Sequence, residues 1–157
     1  ATQPSSFLKG RIKAKIPTIS RPHPVGTSDL EQATGIRHFG AKNLEFLFKL
    51  QVPEGEATAD TEKVKALLAR HLQTKFRNPT LKWQDFETET AKGAILDPIS
   101  LPTEPAVSTF REYHYVLVTS GKDITILSFA IDTSDEADLA SYRGLVKQIV
   151  RSVEVER

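Results

Sequence analysis

A β-hairpin with no obvious wet side constrains this chain more than any other feature. In "FREYHYVLVTSGKDITILSFAID", residues 110–132, two runs of β-branched and aromatic residues flank Gly121-Lys122. A leading glycine suits a two-residue type II′ turn. Centring the turn there sets Val118 opposite Thr125, Val116 opposite Leu127 and His114 opposite Phe129. One face then reads His114, Val116, Val118, Leu127, Phe129, Ile131. The other reads Tyr113, Tyr115, Leu117, Ile124, Ile126, Ala130. An antiparallel pair with one solvated side alternates apolar with polar residues, and this one does not. Leaving four or five large side chains in water, at roughly 1.5–3 kcal/mol each, would cancel a stability comparable with that of a whole domain. Both faces therefore need a cover.

Two helices can supply it. "TEKVKALLARHLQTKF", residues 61–76, places Val64, Leu67, Leu68, His71 and Leu72 at helical spacing, with Asp60 or Thr61 as N-cap and Asn78-Pro79 as the stop. "SDEADLASYRGLVKQIVRSV" carries a stripe of Leu139, Tyr142, Val146, Ile149 and Val153 behind Ser134 as N-cap. Each helix is apolar on one side. The simplest arrangement is an α+β fold: a mainly antiparallel sheet with a helix on each face, an α/β/α sandwich. A dimer covering one face is the rival, and a monomer is favoured.

Other segments fill in the sheet. "FLKGRIKAKIP" alternates Ile12, Ala14 and Ile16 against Arg11, Lys13 and Lys15, which predicts a half-buried strand near a sheet edge. Residues 36–39 and 44–52 read as a second hairpin around "GAKN", with Leu44, Phe46, Phe48 and Leu50 on one face. "WQDFETETAKG" reads as a strand region. "TISRPHPVGTSDLEQATG" and "DPISLPTEP" read as loops for their prolines and turn residues. Residues 1–6 are small and polar and read as a flexible segment, so a single domain is expected over 7–157.

Composition narrows the classes. The chain has 157 residues, 39% hydrophobic and 26% charged, which is globular rather than disordered. A net charge of +1 gives no global argument for nucleic acid. No apolar run is long enough to span a bilayer. The absence of Cys excludes disulfides, thiolate metal sites and Cys nucleophiles. The absence of Met makes the first residue read as a processed or a trimmed start, and leaves room for a leader or a lipid tether ahead of it.

Motifs for chemistry are missing. His23, His38, His71 and His114 show no metal-ligand spacing. His71 reads as packed or at a boundary, and His114 as a core-edge imidazole bonded to a neighbour, with Glu112 close in sequence. Neither phosphate-binding glycine pattern nor a nucleophile elbow occurs. "DTSDEAD" reads as helix capping rather than a calcium loop. Trp83 reads as core. No cofactor and no metal are expected. The basic stripe Arg11, Lys13 and Lys15 is the candidate partner-binding surface, weighed against lysines that merely block edge-to-edge pairing.

The order of elements, the closing "YHYVLVTSGKDITILSFAIDTSDEADLASYRGLVKQIVRSVEV" and the "WQDFETETAKG" strand running into Gly together resemble the three-layer fold of PsbP, the Ran-binding protein Mog and the DcrB and LpqN lipoproteins. That resemblance implies a non-enzymatic binding or accessory domain for a protein partner, often exported or membrane-tethered. A structural or assembly subunit is the alternative, and an enzyme with an unrecognised site comes last.

Overall fold

The structure, a computed structural model, describes residues 2–7, 12–17, 23–24, 30–38, 44–51, 60–76, 79–101, 110–120 and 123–155. Its centre is the hairpin of β9 (Phe110–Ser120) and β10 (Asp123–Thr133). Val118 pairs with Thr125, Val116 with Leu127 and His114 with Phe129, the register that the turn position predicts. The turn residues Gly121 and Lys122 lie outside the described set.

On one side of the hairpin β10 pairs with β5 (Leu44–Gln51), which pairs with β4 (Leu30–His38), which pairs with β3 (His23–Pro24). On the other side β9 pairs with β7 (Lys92–Leu96) and with β8 (Ile99–Leu101), and β7 pairs with β6 (Trp83–Glu87). Every pair in this eight-stranded sheet is antiparallel. β4 begins six residues before the arm read from sequence, and β8 falls inside a segment read as loop. Both segments lack an apolar alternation. A neighbouring strand can still recruit them, because ladder hydrogen bonds use backbone groups whatever the side chains. Pro98 lies just before β8, so its missing N–H removes no donor from that ladder.

Each face has its own core. Helix α1 (Thr61–Lys75) lays Val64, Leu68, Leu72 and the following Phe76 against Leu96, Ile99, Tyr115, Leu117 and Ile124. Asp60 caps it, accepting from the Glu62 and Lys63 amides. Its buried row runs strictly at i, i+4, narrower than the predicted stripe. Leu67 is therefore 45% exposed and His71 lies on the surface, contrary to the boundary position expected for it.

Helix α2 (Glu136–Arg151) covers the opposite face with Leu139, Val146, Ile149 and Val150. Its N-cap is Asp135, one residue beyond the expected Ser134. The Asp135 carboxylate accepts from the Ala137 and Asp138 amides while its own amide donates to Thr133 Oγ1. Both helices thus sit as the hairpin demands: Tyr115 and Leu117 are buried within a single chain, and Ile126 packs partly buried beside them.

A larger departure concerns the N-terminal strands. The basic strand, β2 (Ile12–Pro17), is not in the main sheet. It is the middle of a separate three-stranded sheet, between β1 (Thr2–Phe7) and β11 (Glu154–Val155). The second face is wider than one helix can cover. Ile12, Ala14, Ile16 and Phe7 complete the cover beside α2, with Phe7 edge-on to Phe48 at 6.0 Å. The stretch read as a flexible start is an edge strand instead. Pro4 is tolerated there because an edge leaves one row of backbone donors unused.

Candidate functional site

Strand alternation sends neighbouring residues of β9 to opposite sides, and the two sides differ in kind. Towards α2 point Glu112 and His114. Glu112 is 2% exposed, yet it is fully partnered. His114 Nε2 lies 2.7 Å from its Oε1, and Arg143 of α2 donates from Nε and Nη2 to both carboxylate oxygens. Burial by itself would raise the pKa of this carboxyl. The hydrogen bonds and charges of His114 and Arg143 outweigh it and hold Glu112 at about 2. The group is an internal tie between sheet and helix. His114 is the bonded core-edge imidazole that the sequence suggests; the second partner, Arg143, is 31 residues from Glu112 and has no local signature.

Towards α1 point Arg111, Tyr113 and Tyr115. Here α1 covers β7, β8 and β9 and ends at Phe76, whose ring meets Tyr113 at 5.1 Å. Beyond that end lies a cleft of about 200 Å³. Leu47 and Lys49 of β5 and Ser128, Ala130 and Asp132 of β10 form its floor, and Tyr113, Tyr115, Arg111 and Lys75 stand around it. Lys75 Nζ sits 4.4 Å from the centre of the Tyr113 ring and 5.6 Å from that of Phe76, within cation–π range. Burial, and then the Lys49 ammonium, lower its pKa. Arg111 Nε donates to Asp132 Oδ2 at 3.2 Å. Burial, with Tyr113 adding to it, pushes the Tyr115 phenol up to about 12, so its hydroxyl stays protonated and able to donate. Three cations and one carboxylate line the cleft. A small, positively charged recess with hydroxyl donors suits anionic side chains.

Of the residues singled out from sequence, Lys13 and Lys15 project from the outer face of the small sheet and are exposed, and Lys13 stands opposite Glu154. Arg11 lies outside the described residues, as do the side chains of His23 and His38. Trp83 is half-buried against the α1 core, with Lys65 Nζ 5.5 Å from its ring centre. No group of three or more His, Cys, Asp or Glu able to hold a metal occurs among the described residues. Sequence reasoning missed Lys49, Lys75 and Arg111. Each breaks an otherwise apolar or polar pattern singly, and their convergence depends on where α1 stops.

Two solved structures share this arrangement over nearly their whole lengths. The Ran-binding protein Mog1p of Saccharomyces cerevisiae matches 99% of this chain and 95% of its own, with a TM-score of 0.52 at 13% identity. LpqN of Mycobacterium tuberculosis, involved in cell envelope biogenesis, matches 100% of this chain and 91% of its own, with a TM-score of 0.50 at 10% identity. The chain shares the fold of Mog1p and LpqN. No family model and no curated protein matches the sequence. At such identities the fold alone is what is held in common, and no site residue transfers with it.

Proposed function

We propose that this chain is a non-enzymatic binding domain that recognises a protein partner through the cleft beside the end of α1. The observation that carries this reading is the exposure of Lys49 and Lys75 together in one recess beside the end of α1. Glu112, His114 and Arg143 satisfy one another as an internal tie rather than lining the cleft. Two proteins of the same fold, one Ran-binding and one involved in cell envelope biogenesis, support a binding role. Lys13 and Lys15 we place as a lesser contact surface, flat and partly offset by Glu154.

The test is capture from the native source with the immobilised chain, followed by titration of the purified captured protein. A one-to-one complex that weakens on Lys49→Gln/Lys75→Gln supports the cleft. Weakening on Lys13→Gln/Lys15→Gln alone would move the contact to the small sheet. Stable self-association without a partner would favour an assembly subunit.

A further inference from the structure

The chemistry of the cleft goes further than the existence of a partner. We propose that it receives an acidic, extended segment of that protein, with carboxylates seated at Lys49, Lys75 and Arg111; this rests on the binding role argued above. Charge comes first. Neither Lys49 nor Lys75 has an acidic partner among the described residues, yet they lie near enough to repel each other. Bringing like charges together is unfavourable unless an anion relieves it. Arg111 spends one donor on Asp132 and stays about half exposed, leaving the rest of its guanidinium open.

Pre-organisation comes second. The Tyr113 and Phe76 rings under Lys75 hold its ammonium in position, which reduces the entropy lost on binding. Size comes third. A recess of about 200 Å³ is below the range usual for cofactors and drug-sized ligands and fits one or two side chains. Leu47 and Ala130 on the floor offer apolar contact for glutamate methylenes, and the Ser128 and Tyr115 hydroxyls add uncharged donors. Asp132 at the same recess disfavours a densely charged polyanion, because phosphates crowded against it would be repelled. A peptide can space its carboxylates around that one acid.

A fluorescent synthetic peptide alternating Glu with Ser is the probe, read by anisotropy at low and at physiological salt, with the Gln counterpart as its control. The chain should bind the Glu peptide and not the Gln peptide. Lys49→Gln/Lys75→Gln should weaken binding by about tenfold or more, and salt should weaken the wild type more than the variant. Asp132→Asn should tighten binding, a gain that misfolding cannot imitate. Lys63→Gln/Lys147→Gln, on exposed helix positions, should bind as the wild type does. Equal binding by wild type and Lys49→Gln/Lys75→Gln overturns the proposal, and so does no binding by either. Lys49- and Lys75-dependent binding of phosphatidylserine vesicles or inorganic phosphate in place of the peptide overturns it too. A purified partner that ignores the double substitution removes the acidic segment and keeps the binding role. Peptide binding without any stoichiometric partner does the reverse.

Discussion

Replacing Glu112 by Gln keeps the shape of the side chain but removes the charge that His114 and Arg143 are built around. Leaving Arg143 facing a neutral amide should cost about 2–4 kcal/mol at neutral pH. The pH dependence follows from the sign of the shift. The Glu112 pKa is depressed to about 2, so its contribution is fully present above the ordinary carboxylate range and is lost as pH falls towards 2. Urea unfolding at several pH values should show a steep acid limb in the wild type and a shallower one in Glu112→Gln. Thr125 is the opposite case: it is fully buried and its hydroxyl has no hydrogen-bond partner. Thr125→Val should therefore raise stability by about 0.5–1 kcal/mol, measurable as a higher thermal midpoint. Local sequence pointed to Glu112 beside His114, because residues two apart on a strand share a face. It could not point to Arg143, which arrives from another element.

At the scale of the element, Gly93 decides how closely β7 can approach β9. A Cβ built there would lie 1.7 Å from the Leu117 carbonyl oxygen, a backbone atom that cannot rotate away. Gly93→Ala should force the two strands apart and cost about 3 kcal/mol or more, with hydrogen exchange quickening first in β6 and β7. The long hairpin was legible to the residue because both strands carry strong patterns and a two-residue turn fixes their register. The helices were legible in extent but not in detail, since the width of a buried stripe depends on how the helix lies on its sheet. Leu67 and His71 pass the spacing rule and still face water. Short strands such as β3, β8 and β11 leave almost no mark in sequence, because two or three residues are too few to show an alternation.

For the whole molecule, the two-faced hairpin left open whether a second chain was needed as a cover. With α1 on one face, and α2 and the small sheet on the other, Leu67 is the one large apolar side chain left exposed among the described residues. Light scattering should accordingly give a monomer at micromolar concentration; a stable dimer would mean that surface outside the described residues is buried between copies. The three layers could be read from pattern, whereas the small sheet could not, because nothing in "FLKGRIKAKIP" says which sheet its strand joins. The cleft was equally hidden, as it exists where a helix ends rather than where a motif lies. That small sheet also imposes an order of events during synthesis. The Lys15 amide donates to Ser152 Oγ, 137 residues later, and β11 follows at once to pair with β2. β1 and β2 thus leave the ribosome well before their partner, and this layer stays open until residues 152–155 have been made.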